Sequence, residues 1–206
     1  MASPSQQRAR AVQLLKGRGM LRLKQLVEAG IASETVARMV RDGELVRPAR
    51  GLYRLPDMPL DAAHTLAEAA ILVPGSIVCL TSALQFHHLT LQMPSAVWMA
   101  IPRGAWRPRI ERPSIRFVRF SGPALTEGIG RHRIEGVDVA ITTPARSIVD
   151  SFRYRSKIGI DTAIEALREG LDRRLCTPDE LWSLARQMRA WTVMRPYVET
   201  VAAHGG

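Results

Sequence analysis

Cysteine is scarce in this chain of 206 residues: only Cys79 and Cys176 are present. Both lie in apolar segments and belong to no spaced cluster, so a disulfide framework and a cysteine-based metal site are excluded and two buried thiols are expected. Long hydrophobic runs are missing too. No window approaches the ~18 uninterrupted apolar residues that a membrane span needs, and MASPSQQRARAVQLLKGRG has none of the apolar core of a secretory signal. Both absences lead to the expectation of a cytoplasmic protein with no membrane partner.

Catalytic signatures are equally thin. Nucleotidyl transfer needs two carboxylates alternating on one strand to hold Mg²⁺, and no Asp-x-Asp occurs; Asp138 is the one strand candidate near Asp150. There is no phosphate-cradling Gly-rich Lys loop and no Gly-x-Ser-x-Gly elbow. Gly75-Ser76 reads as a turn. His87 and His88 are neighbours on a helix and point ~100° apart, so they do not converge on one ion. Arg146 and Asp150, four apart on one predicted helix, suit an ion pair. An enzyme is not expected, nor a metal or cofactor. Internal repeats and low-complexity tracts are absent as well.

What is there is positive charge, unevenly spread. The net charge is +10 and the apolar fraction 46%, values of a globular chain long enough to bury a core. Residues 1–57 hold eleven Lys/Arg against five Asp/Glu, and residues 101–133 hold eight against two. Two basic blocks separated by nearly neutral sequence suggest two surfaces for polyanions, although a generally basic surface has the same composition.

The spacing predicts a first helix over 5–18, capped by Ser5, with Ala9, Val12, Leu14 and Leu15 as its apolar stripe and Gly17 and Gly19 ending it. A short extended piece, Met20–Leu23, leads to a second helix over 24–29, closed by Gly30. Ser33 is expected to cap a third helix through Arg41, with Asp42-Gly43 closing it. Leu45–Arg47 and Leu52–Arg54 then flank Pro48–Gly51 as a hairpin with a basic tip. Helix, helix, glycine turn, helix and basic hairpin is the order of a winged helix-turn-helix.

Phase supports that order. At ~100° per residue Val36, Val40 and Met39 share one side of the third helix, while Glu34, Arg38 and Arg41 take the other with Thr35 and Asp42 beside them. An apolar back and an arginine-bearing front are what a recognition helix requires, because it docks on its own domain and offers side chains to base edges. An ordinary amphipathic surface helix has the same wheel; the adjoining basic hairpin favours DNA.

Pro56, Asp57, Met58 and Pro59 read as a linker, dividing the chain into a DNA-binding domain over 1–57 and an α+β domain over 58–206. The second domain starts with a helix at Asp61. It continues with strands at 76–80, 96–101, 115–120, 131–134 and 137–142, and helices over 81–88, 144–154, 159–172, 178–189 and 194–203. This is a small sheet with a helical C-terminal third. Its basic block places Arg103, Arg107, Arg109 and Arg112 around Trp106 in a proline-bearing loop, a mixture that can grip phosphate and stack on bases. A solvated loop or an acidic protein partner would share that composition. Arg116 and Arg119, three apart on a strand, face opposite sides.

Three segments, RGLYRLP (Arg50–Pro56), LTSALQFHHL (Leu80–Leu89) and TPARSIVDSF (Thr143–Phe152), resemble the AbiE-type abortive-infection antitoxins, winged-helix regulators of bacteria and archaea. The resemblance runs from the first helix to about residue 170. It implies binding to inverted repeats in the protein's own promoter, autorepression, and a nucleotidyltransferase-like toxin as genetic neighbour in a type IV toxin–antitoxin locus. It also places Thr35, Arg38 and Arg41 on the recognition helix and Arg47, Arg50 and Arg54 on the wing. With Ser33 at the helix start, these form the expected contact set for double-stranded DNA. The alternative expectation is a protein-interaction module that neutralises a toxin by direct contact and binds DNA only weakly.

Overall fold

A computed structural model describes residues 3–57 and 63–204. The fold is α+β and divides into two compact units, one of Met1–Leu72 with His132–Val139 and one of Val73–Arg131 with Ala140–Gly206. Met58 and Pro59 of the expected linker, and the helix start expected at Asp61, lie outside the described residues.

In the first unit, helix α1 covers Pro4–Arg18. Its cap is Ser3, not Ser5: the Ser3 hydroxyl accepts from the Gln6 N–H, and the Gln6 side chain accepts from the Ser3 N–H at 2.9 Å. Pro4 takes the first helical turn, where its missing N–H costs nothing. Ala11 and Leu15 form the buried stripe with Val12 and Leu14 beside them, while Ala9 is exposed. Gly19 closes the helix at φ +70°, and a Cβ there would stand 1.6 Å from the carbonyl oxygen of Glu135. Close backbone approach, not only handedness, demands glycine.

Strand β1 (Met20–Arg22) leads into α2 (Leu23–Glu28), and α3 spans Ser33–Arg41. Strand β2 (Leu52–Arg54) pairs antiparallel with β1, Met20 opposite Arg54 and Arg22 opposite Leu52. The other expected hairpin arm, Leu45–Arg47, shrinks to one bridge between Val46 and Arg54, because Pro48 has no N–H with which to extend a ladder. Leu15, Leu21, Leu26, Ile31, Val36, Met39, Leu45 and Tyr53 make the core. Fully burying each leucine stabilises by about 1.5–3 kcal/mol. Helix α4 (His64–Leu72) belongs to the same unit, and the Arg22 guanidinium donates to the Ile71 carbonyl near its end (Nε 3.0 Å).

A five-stranded sheet in the order β5-β4-β3-β7-β6 has β3, β4 and β5 wholly in the second unit. The strands are β3 (Ile77–Val78), β4 (Val97–Pro102), β5 (Ile115–Phe120), β6 (Ile129–Ile134) and β7 (Val137–Thr142). β4 runs parallel to β5 and antiparallel to β3, and β3 runs parallel to β7. Glu135 and Gly136 join β6 to β7, both with positive φ, as a two-residue primed turn requires. The helices are α5 (Leu80–Phe86), α6 (Pro144–Arg153), α7 (Arg155–Ile158), α8 (Ile160–Asp172), α9 (Pro178–Gln187) and α10 (Trp191–His204). The sequence periodicity misses α7 and starts α10 three residues late, because Pro196 lies inside it.

Helix α6 sits in the core of this unit. Arg146 and Asp150 are both wholly buried, Nε to Oδ2 3.0 Å, as their spacing implies. The same guanidinium donates to the carbonyls of Glu127 (2.6 Å) and Ala124 (3.3 Å) and lies 5.0 Å over the Phe120 ring. Its charge is therefore consumed inside the fold. Cys79 and Cys176 are free and buried. Among the described residues no helix is long and apolar enough to cross a membrane.

Candidate nucleic-acid interface

The face of α3 that matters is set by what its back must bury. Thr35, Val36 and Met39 are buried, and Ser33, Glu34, Ala37, Arg38 and Arg41 are exposed. The buried arc is centred on Met39 rather than midway between Val36 and Val40. That rotation carries Thr35 inward, to 7% exposure, away from the outer face on which the sequence placed it. Its hydroxyl donates to Gln7 Oε1 at 3.0 Å, and the Ala32 N–H donates to the same oxygen at 2.9 Å. Gln7, reaching from α1, thus does the work expected of Ser33; the residue at the cap is Ala32, and Ser33 is the first helical residue.

Arg8 makes a second tie between α1 and the far end of α3. Its guanidinium donates to Asp42 at 2.6 Å and to Glu44. The hydrogen bond to Asp42, followed by the pull of Glu44, raises its pKa above the ordinary arginine value. One positive charge thereby offsets part of the negative charge of two carboxylates at the end of α3. Sequence reasoning missed Gln7 and Arg8 because their partners lie 25 to 36 residues away, beyond any local spacing.

Arg38 and Arg41 remain on the outer face, exposed and, among the described residues, without a carboxylate partner. Arg47 and Arg50, on either side of Pro48-Ala49, are exposed in the same way, and Gly51 turns the tip with φ +73°. Arg54 differs. It is half-buried, and its guanidinium donates to the Leu55 carbonyl at 2.9 Å and the Pro56 carbonyl at 3.4 Å. Five of the seven expected residues (Ser33, Arg38, Arg41, Arg47 and Arg50) are therefore presented to solvent, and Thr35 and Arg54 are engaged by the frame.

The arginine-rich loop of the second unit is ordered by its own chemistry. Arg119 donates to the carbonyls of Pro102 (2.9 Å) and Ala105, and Arg107 lies 5.4 Å over the Phe117 ring. Arg116 points to the other sheet face, 5.5 Å over Trp98. Arg103, Arg107, Arg109 and Arg112 are exposed, as is Trp106 at 78%. Elsewhere, a ring nitrogen of His87 meets the Thr142 carbonyl at 2.7 Å, and among the described residues no group of His, Cys, Asp and Glu is placed to hold a metal ion.

The crystal structure of the RV2827C protein from Mycobacterium tuberculosis shares the fold, with a TM-score of 0.64 at 16% identity, over 95% of this chain and 77% of that one. No curated protein matches the chain. Residues 10–56 match the family described as transcriptional regulator, AbiEi antitoxin. That segment runs from within α1 to the end of the wing, so the similarity to that family covers the winged helix-turn-helix of this chain.

Proposed function

We propose that the protein is a sequence-specific DNA-binding autorepressor, and the antitoxin of a type IV toxin–antitoxin locus with a nucleotidyltransferase-like toxin encoded alongside. The observation that carries the DNA reading is the outer face of α3, where Arg38 and Arg41 stand exposed beside the exposed Arg47 and Arg50. Arginine offers a bidentate fork to guanine O6 and N7 in the major groove, the commonest specific contact there. Arg47 and Arg50 fit the adjacent backbone or minor groove, where a basic wing positions the domain without reading sequence. Residues 1–57 hold this machinery, and residues 58–206 carry the antitoxin function. In the second part, Arg103, Arg107, Arg109 and Arg112 contact phosphates flanking the operator. The family match over residues 10–56 supports regulation of transcription; autorepression and the toxin are our reading.

Mobility shift of the full-length protein on its own upstream region tests this. Specific retardation that Arg38→Ala/Arg41→Ala abolishes is expected. Retardation of that region no tighter than of unrelated DNA of the same length would reject autorepression. Co-expression with the neighbouring gene tests the antitoxin half: rescue of growth is expected, and unrelieved toxicity would reject it.

A further inference from the structure

A pocket of about 160 Å³ opens in the second unit beside β4, β5 and α7. Thr81, Trp98, Arg116, Lys157, Gln92 and Ile158 are among the residues lining it, and no carboxylate is. Thr81 is 7% exposed, and its hydroxyl has no hydrogen-bond partner among the described residues. A buried polar group without a partner is destabilising, so a hydroxyl kept at such a place asks for a ligand. Arg116 is steadied over the Trp98 ring at 5.5 Å, and Lys157 is exposed on α7. Neither cation meets a carboxylate among the described residues. An ammonium and a guanidinium can only donate, and a free hydroxyl can donate with them. The lining is thus made for an acceptor that bears negative charge.

We propose that this pocket binds a small free oxyanion, a phosphate or the carboxylate of a small molecule. Its size sets the class. At ~30 Å³ per water the space equals about five waters, well below the ~300 Å³ at which pockets for drug-sized ligands begin. An ion or a very small acid fits inside, and a nucleotide or a folded peptide does not. In the bound state the Thr81 side chain turns its hydroxyl, which solvent does not reach in the ligand-free protein, toward one oxygen, Lys157 and Arg116 balance the charge, and Trp98 and Ile158 keep water from one side. The residues are separate from the DNA-facing set, so the inference stands or falls independently of the function proposed above.

Amide NMR of the full-length protein titrated with sodium phosphate, and separately with sodium acetate, tests it, with ionic strength held constant by sodium chloride. Saturable shifts at Thr81, Lys157 and the Trp98 indole are expected with at least one of the two salts, and the salt that binds more tightly names the group. Lys157→Gln should weaken that binding about tenfold by removing a charged donor, and should leave the melting temperature of the ligand-free protein unchanged. Thr81→Val should also weaken binding while raising that melting temperature, because it deletes a hydroxyl that has no partner. Shifts that never saturate, or that spread over the arginines of α3, would overturn the proposal. So would equal affinity in the wild type and Lys157→Gln. A response of Thr81 and Lys157 to duplex DNA or to an acidic peptide, with none to either salt, would assign the pocket to a macromolecule and overturn it as well.

Discussion

Thr35 is held inside the frame that carries α3 rather than on its outer face. Its hydroxyl is spent on Gln7, so Thr35→Val should cost about 0.5–1.5 kcal/mol, the net worth of one hydrogen bond. Denaturant unfolding measures that loss. The ratio of affinities for specific and random DNA should not move; a change in that ratio with unchanged stability would put Thr35 on the DNA side. The cysteines give a second test at this scale. Burial pushes the Cys176 thiol up to about 12 and the Cys79 thiol well above its ordinary value. Because the thiolate is the nucleophile, neither should react with a thiol reagent at pH 8 until the protein is unfolded. Rapid modification of the native protein would contradict the burial. The buried thiols and the Arg146–Asp150 pair were legible in the sequence, since each depends on neighbours one helical turn away or on apolar surroundings. Arg54 was not: nothing in LYRLP shows that its guanidinium turns back on the carbonyls of Leu55 and Pro56.

At the scale of elements, the helices and wing of the first unit follow from periodicity, and their ends follow from contacts between elements. α3 lacks a capping side chain of its own, and Gln7 of α1 supplies the acceptor, so a rule that searches for Ser or Asp at the cap chooses Ser33. The wing reads as a hairpin in sequence, yet the main partner of β2 is β1, thirty residues earlier. Glycines at close approaches are the strictest elements of this design. A Cβ on Gly136 would lie 2.4 Å from the backbone of Arg18, and the residue has φ +76°. Gly19→Ala or Gly136→Ala should each cost at least about 2 kcal/mol, combining a steric clash with a strained φ. Gly30→Ala meets nothing within 4 Å and should cost only the strain of its positive φ. Thermal unfolding of the three variants checks the ranking, and equal losses would contradict it.

Over the whole molecule, charge rather than periodicity was the informative signal. Apart from Arg133, the two basic blocks fall in different units, and the sequence locates both because Arg and Lys need no fold to be counted. The sequence could not say which arginines would be consumed internally. Arg8, Arg22, Arg54, Arg119 and Arg146 all turn out to bind carbonyls or carboxylates. If the exposed loop of the second unit touches flanking DNA, changing Arg103, Arg107 and Arg109 together to Gln should lower affinity for a long promoter fragment. The salt slope on that fragment should fall by up to about three, one for each lost phosphate contact. Binding to a minimal operator should hardly change. An unchanged slope on long DNA would remove this loop from the interface.

The central claim is that α3 reads sequence while the wing grips backbone. The most direct measurement is the ratio of dissociation constants for random and operator DNA, taken at one fixed salt concentration, in Arg38→Ala and Arg50→Ala. Loss of a bidentate base contact should cost about 1–3 kcal/mol on the operator alone, so Arg38→Ala should lower the ratio by about 5- to 150-fold. Arg50→Ala should weaken both DNAs alike, leave the ratio intact and reduce the salt slope by about one. Equal losses on operator and random DNA for Arg38→Ala, with the ratio unchanged, would contradict the account.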